Sequence, residues 1–161
     1  MTEYLSSDIL ENQFGPTELE VLYQDAATRV ICTKTVGSGQ VLELSLVSFV
    51  PAGVERFADV HQAILAGESI GKAFRAAGVQ LNRDFEGGYK YALPASFEQR
   101  FASREPATVV DVAILVGEHN TPYARILETY SPEVEWKLRE IEPTPDQLAR
   151  IQLLDELLKT S

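Results

Sequence analysis

Three segments in the first third of the chain alternate apolar and polar residues as a half-buried strand does. They are residues 18–23, 28–36 and 41–50. In the third segment Leu42 and Leu44 are expected on one face of a sheet and Glu43 on the other, because successive strand residues point in opposite directions. The sequence Gly-Ser-Gly-Gln at 37–40 has the right length for a hairpin loop. The second and third segments are therefore predicted to pair as antiparallel strands.

Apolar residues at helical spacing follow, and they alternate with further strand-like segments. Helices are predicted over residues 7–14, 54–65, 70–77 and 94–103. Strands are predicted over residues 79–91, 108–116 and 123–130, the first with a bend at Gly87-Gly88. Hairpin strands interrupted by helices are typical of an α+β domain. We therefore predict an α+β fold with a single antiparallel sheet.

The composition changes after Pro132, where Glu, Lys and Arg become frequent. The sequence Thr-Pro-Asp-Gln at 144–147 favours a helix start, with Thr as the N-cap and Pro at the first helical position. The apolar stripe of this helix comprises Leu148, Ile151, Leu154, Leu157 and Leu158. We interpret residues 1–132 as an α+β domain and residues 133–161 as a C-terminal extension of the same compact unit. The stripe either docks onto that domain, which we expect, or meets the same stripe of a second chain in a homodimer.

Composition and charge exclude several classes of partner. The 161 residues are 45% hydrophobic and 24% charged, which is an ordinary globular balance. Fourteen Lys and Arg against 24 Asp and Glu give a net charge of −10. Nucleic acids and anionic membrane surfaces both require a basic face. We therefore expect neither a nucleic acid nor a membrane as partner.

Cysteine and histidine are too sparse for a metal site. Cys32 has no second cysteine with which to pair, and it lies in an apolar run typical of a buried thiol. His61 and His119 lie far apart and lack the spacing of metal ligands. The first eight residues contain neither the basic nor the apolar segment of a leader, and no apolar stretch approaches the roughly 20 residues of a spanning helix. We expect a cytoplasmic protein without a metal.

Several segments, in order, resemble the chorismate lyase family. Residues 67–72 (Gly-Glu-Ser-Ile-Gly-Lys) resemble the family's helix start, Gly-x-x-(Leu or Ile)-Gly-(Arg or Lys). Residues 81–85 (Leu-Asn-Arg-Asp-Phe) resemble the strand after it, which has Thr-Arg-Asp-Phe or a similar sequence. Residues 125–132 resemble the family's last strand with its active-site glutamate, and residues 9–24 resemble its first helix and strand. The superfamily also includes the UTRA domains, which sense ligands in GntR-type repressors. The likeness covers about residues 7–132.

The resemblance implies a pocket under helices that cover one face of the sheet. Chorismate lyase removes pyruvate from chorismate and leaves 4-hydroxybenzoate, so such a pocket would bind a chorismate-like or small carboxylated aromatic ligand without any cofactor. Glu128 matches the family's glutamate, which would manage a proton as the side chain leaves. The family's arginine aligns best with Lys34, and Arg29 on the same strand is the alternative. Arg83 would provide a second contact to a carboxylate.

Two other functions remain open at this point. Lysine lacks the planar fork of arginine, and Lys34 in place of the family's arginine favours a second hypothesis, a UTRA-like module that binds a small molecule without catalysis. A third hypothesis is an assembly protein that binds another chain through its terminal stripe. Glu128 discriminates among them: an enzyme needs it inward and facing a cation, whereas an outward Glu128 is an ordinary solvated carboxylate.

Overall fold

Residues 6–160, which the computed structural model describes, contain seven strands and six helices. The strands are β1 (Thr17–Gln24), β2 (Thr28–Thr35), β3 (Val41–Phe49), β4 (Leu81–Asp84), β5 (Gly88–Tyr91), β6 (Ala107–Val116) and β7 (Thr121–Tyr130). The helices are α1 (Ser6–Phe14), α2 (Pro51–Arg56), α3 (Ala58–Leu65), α4 (Ile70–Ala76), α5 (Ala95–Phe101) and α6 (Pro145–Lys159). Residues 1–5, on which much of the expectation of no leader rests, lie outside this range.

All seven strands belong to one antiparallel sheet. Its order is β1-β2-β3-β7-β6-β4, and β5 pairs with the other half of β6. This confirms the predicted α+β fold with a single antiparallel sheet. Across the central strands, Glu43 lies opposite Tyr130 and Ser45 lies opposite Glu128. The register therefore brings the carboxyl groups of β3 and β7 into the same part of the sheet.

Helices cover both faces of the sheet, whereas the resemblance implied one. On the first face, α1, α3 and α4 pack against strand residues such as Val47 and Val112. On the second face, α5 and α6 pack against Leu44, Leu46 and Leu127. The difference arises because the central strands are apolar on both sides, so each side requires a cover.

A β-bulge in β3 changes the face of one predicted residue. Thr33 pairs with Glu43 but Lys34 pairs with Val41, so Leu42 is the extra residue. Leu42 consequently packs on the first face with Val47, while Leu44 packs on the second. The prediction that Leu42 and Leu44 share a face was wrong, because simple alternation does not anticipate a bulge.

Two predicted elements are each divided in the structure. The helix predicted over 54–65 forms two helices that meet at Phe57, whose φ of −116° and ψ of 43° are not helical. In α2, a Cβ atom on Gly53 would lie 2.2 Å from the carbonyl oxygen of Pro122, so glycine permits the close approach to β7. The strand predicted over 79–91 forms β4 and β5, and both of these pair with β6.

The terminal helix α6 is packed on the second face. The Thr144 hydroxyl accepts from the Gln147 backbone N–H at 3.2 Å, and the Gln147 side chain accepts from the Thr144 N–H at 3.0 Å, which forms a capping box. Ile151, Leu154 and Leu158 are buried against the sheet. The stripe therefore lies within the chain, and the homodimer stays a prediction. None of the helices in residues 6–160 has both the length and the apolar character required to cross a bilayer.

Replacing Thr144 with alanine is expected to lower the free energy of unfolding by about 1 kcal/mol, because the first turn of α6 loses a hydrogen-bond acceptor. Urea denaturation followed by circular dichroism measures the change. Gln152→Ala, at an exposed position of the same helix, is the matched control and should leave the stability close to that of wild type. Equal stability of Thr144→Ala and wild type would show that the capping box does not stabilise the fold.

Candidate functional site

A cavity lies between the first face of the sheet and helices α1 and α4. Its volume is about 80 Å³, several times the roughly 10–15 Å³ that one water molecule needs. Its apolar wall is formed by Leu19, Ile31, Val47, Ile70, Leu81, Ile114 and Ile126. Four buried charged side chains, Arg29, Glu43, Arg83 and Glu128, also line it, and the exposed Glu18 and Lys72 lie at its rim. An apolar cavity with a few convergent charged groups is the usual form of a small-molecule site.

Arg83 and Glu128 form a buried ion pair in this cavity. The Arg83 Nη2 donates to Glu128 Oε1, and the two side chains are only 3% and 2% exposed. The hydroxyl of Tyr130 donates to the same oxygen at 2.8 Å. Burial raises the pKa of Glu128, and the neighbouring Arg83 acts in the opposite direction by stabilising the carboxylate. The charges of this pair balance each other inside the cavity.

Glu43 is a second buried carboxyl group, and it has hydroxyl partners instead of a cation. Thr33 donates to its Oε1 at 3.1 Å and Ser45 donates to its Oε2 at 2.7 Å. Within residues 6–160, Glu43 forms no ion pair. Burial and the nearby Glu128 carboxylate raise the pKa of Glu43 to about 7. The Glu43 carboxyl group is therefore partly protonated and partly ionised near neutral pH.

Arg29 carries a buried charge that forms no ion pair with a carboxylate among residues 6–160. Its side chain is 1% exposed, and Nη1 donates to the carbonyl oxygen of Glu68 at 2.9 Å. The Nε and Nη2 groups have no hydrogen-bond partner in the described part of the chain. Burial lowers the pKa of Arg29, but a guanidinium keeps its proton in proteins. An unpaired buried charge is costly, and a bound anion would offset that cost.

The structure brings together three of the four residues singled out from the sequence. Arg29, Arg83 and Glu128 all line the cavity, and the inward orientation of Glu128 is the one observed. Lys34 lies elsewhere: its Nζ bonds Glu20 Oε2 at 2.6 Å on the second face. Lys34 and Arg29 are five positions apart on β2 and therefore point to opposite faces.

Glu43 is the cavity residue that the sequence analysis missed. Its position between Leu42 and Leu44 placed it on the face opposite the leucines, but the alternation did not show whether that face was covered. One feature of the sequence could have indicated its role. Glu43 and Ser45 are polar residues in a strand whose other residues are mostly apolar. In residues 6–160, no group of three or more His, Cys, Asp or Glu side chains is placed to hold a metal ion.

Comparisons with known proteins bear on the fold. No family model matches the sequence, and no curated protein matches it. The possible transcriptional regulator YydK from Bacillus subtilis has a similar structure, with a TM-score of 0.52 and 10% identity, over 80% of this chain and 62% of that one. The chain thus spans about three fifths of the length of that regulator.

Two further solved structures align less closely. The ligand-binding domain of a GntR-family transcriptional regulator from Bordetella bronchiseptica has a TM-score of 0.48 and 7% identity, over 80% of this chain and 91% of that one. The C-terminal domain of the histidine utilization repressor from Pseudomonas syringae has a TM-score of 0.47 and 5% identity, over 80% of this chain and all of that one. At such identities the similarity concerns the fold alone. The chain therefore shares the α+β fold of the YydK structure.

Proposed function

We propose that this chain is a binding domain for a small carboxylate with an apolar body, which enters the cavity and contacts Arg29. The observation that carries the proposal is the buried guanidinium of Arg29, with two N–H groups that lack partners among residues 6–160. A carboxylate accepts two parallel hydrogen bonds from a guanidinium, which is the strongest geometry available to such a group. The apolar wall suits the rest of the ligand.

The GntR-type regulators to which the fold is similar support a binding role. One of those structures is described as a ligand-binding domain. The cavity in this chain has the features expected of a binding site, because its buried charged groups are held by the sheet and lie beside an apolar wall. We therefore rank binding above catalysis.

Elimination of pyruvate from chorismate is a second candidate, favoured by the inward Glu128 and its cationic partner. Chorismate carries two carboxylates, and the cavity wall contains two guanidiniums, Arg29 and Arg83. Arg83 has one further N–H group, Nη1, without a partner in residues 6–160. In this hypothesis the guanidiniums hold the carboxylates and Glu128 manages the proton as the side chain leaves.

Thermal unfolding in the presence of benzoate, 4-hydroxybenzoate and the uncharged benzamide tests the binding proposal. Ligands that bind only the native state raise the Tm of the protein, and the rise grows with the logarithm of the ligand concentration relative to the Kd. We expect a concentration-dependent rise with the carboxylates and a much smaller one with benzamide. Equal effects of the carboxylates and the amide, or no effect of any, would contradict the proposal.

A direct assay with chorismate separates the two candidates. Purified protein is incubated with chorismate, and pyruvate and 4-hydroxybenzoate are measured, in parallel with Glu128→Gln. The binding proposal predicts no release of either product above the uncatalysed background. Turnover that Glu128→Gln abolishes, in a variant that still folds, would establish the lyase instead.

A further inference from the structure

Glu43 has a position in the cavity that ligand binding alone does not explain. Its carboxyl group is fully buried, and both oxygens accept hydrogen bonds from hydroxyl groups of neighbouring strand residues, Thr33 and Ser45. Hydroxyl donors satisfy a carboxyl group in either protonation state, because a hydroxyl can also accept. A guanidinium partner, by contrast, would hold it ionised. The surroundings of Glu43 therefore accommodate both its ionised and its protonated form.

Several charged or titratable groups share the cavity with Glu43. Glu128 and Tyr130 of β7 and Arg83 of β4 interact with Glu43 electrostatically, and Arg29 of β2 lines the same cavity. At the rim are Glu18 of β1 and Lys72 of α4, both solvent-exposed and of opposite sign. The buried part of the cavity therefore contains two cations and two carboxyl groups, and it is neutral when both carboxyl groups are ionised.

We propose that Glu43 takes up a proton when a carboxylate binds Arg29, so that the site binds a singly charged anion together with one proton. This inference rests on the proposed function. A bound anion would leave the buried groups with a net charge of −1 if both carboxyl groups stayed ionised. Uncompensated charge is costly in a cavity shielded from water. Protonation of one carboxyl group restores neutrality.

The contacts of the two buried carboxyl groups indicate that Glu43, and not Glu128, takes up the proton when the anion binds. Glu128 is held by the Arg83 guanidinium and the Tyr130 hydroxyl, so its protonation would break a charge-assisted pair. Glu43 has no such partner within residues 6–160. Burial and Glu128 already raise the pKa of Glu43 to about 7, although Arg83 acts in the opposite direction, and a further negative charge in the same cavity raises it more. The neutral Glu43 also offers an O–H donor to a ligand oxygen.

Linkage fixes the direction of the pH dependence. Because the complex holds Glu43 protonated more firmly than the free protein does, binding takes up a proton and weakens as the pH rises above about 7. With one proton linked, the Kd rises by up to about tenfold for each pH unit in that range. Near neutral pH the free protein is partly protonated, so the uptake is a fraction of one proton.

Isothermal titration calorimetry measures this uptake directly. We would titrate the protein with 4-hydroxybenzoate, a monoanion at neutral pH, at about pH 7.0 and 8.0, in two buffers that differ in ionisation enthalpy. The expected uptake is about half a proton at the lower pH and close to one at the higher. Glu43→Gln, a neutral isostere, should bind with no uptake. Glu20→Gln, an exposed carboxyl group outside the cavity, is the matched control and should keep the uptake.

The outcomes separate the inference from the proposed function. Binding without proton uptake, or uptake that persists in Glu43→Gln, would overturn the role of Glu43 and leave the carboxylate site intact. Failure of 4-hydroxybenzoate and benzoate to bind the wild-type protein would overturn the proposed function and the inference with it. If Glu43→Gln does not fold, a carbon-13 NMR titration of Glu43 in the wild type replaces it. Its pKa should rise by about two units or more on saturation, and an unchanged pKa would overturn the inference.

Discussion

Replacing Arg83 with methionine is expected to lower the free energy of unfolding by about 3–5 kcal/mol, the largest stability change we predict for a single substitution. The variant leaves the Glu128 carboxylate buried without its cation, at a site where the side chain is 2% exposed. Methionine reproduces the aliphatic stem of arginine but ends before the guanidinium, so the loss combines the missing charge and hydrogen bond with a small cavity. Denaturation in urea measures it.

The penalty should depend on pH, and its sign follows from Glu128. Without Arg83, burial raises the pKa of Glu128 further above its unfolded value. The folded variant then binds a proton more tightly than the unfolded chain. Its stability therefore falls as the pH rises from the pKa of Glu128 in the unfolded chain to its pKa in the folded variant. We expect the difference from wild type to be smaller near pH 5 than near pH 8.

Two comparisons make the Arg83 result interpretable. The double variant Arg83→Met, Glu128→Leu should recover much of the lost stability, because replacing a whole buried pair with apolar residues is often neutral. Lys34→Met removes a surface ion pair with Glu20 and should leave the stability close to that of wild type. An Arg83→Met variant as stable as Lys34→Met would contradict the account of the buried pair.

Replacing Arg29 with methionine is expected to have opposite effects on binding and on stability. Loss of the guanidinium should weaken binding of 4-hydroxybenzoate by at least about tenfold, which corresponds to about 1.4 kcal/mol. The free energy of unfolding should stay the same or rise, because the variant no longer buries a charge that lacks an ion-pair partner among residues 6–160. Residues retained for function at a cost in stability behave in this way.

The comparison for Arg29 is again Lys34→Met, because Lys34 is the residue that the family resemblance aligned with the arginine. It lies on the opposite face of β2, so this variant should bind like wild type. A stability loss in Arg29→Met with unchanged binding would mean that Arg29 serves the fold through its bond to the Glu68 carbonyl. That result would contradict its assignment to the ligand.

Much of the fold was accessible from the sequence because its elements have clear local signals. The alternation in β1 and β2, the apolar run of β6 and the cap at Thr144 each come from residues close together in the chain. The bulge at Leu42 and the break at Phe57 do not. Both depend on partners distant in sequence, since the bulge is set by pairing with β2 and α2 is held by the close contact of Gly53 with β7.

The candidate site was predictable only in part, for a related reason. Arg83 and Glu128 stood in segments resembling a known family, and the structure pairs them across β6. Lys34 and Arg29 were alternatives for the same cavity position. Strand alternation along β2 shows that only one of them can face the cavity, because residues five positions apart point to opposite faces of the sheet. Glu43 had no comparable signal: its role depends on the helices that bury it and on its hydroxyl partners Thr33 and Ser45.

Binding of a carboxylate to Arg29 can be observed through the NMR signal of the Arg29 Nε–H group, assigned with Arg29→Lys, during titration with 4-hydroxybenzoate. In the free protein this group has no hydrogen-bond partner among residues 6–160. Binding of the carboxylate should shift its proton downfield and slow its exchange with water, because a charge-assisted hydrogen bond forms. Saturation with the ligand while the Arg29 signal stays unchanged would show that the anion binds elsewhere, and would contradict the account.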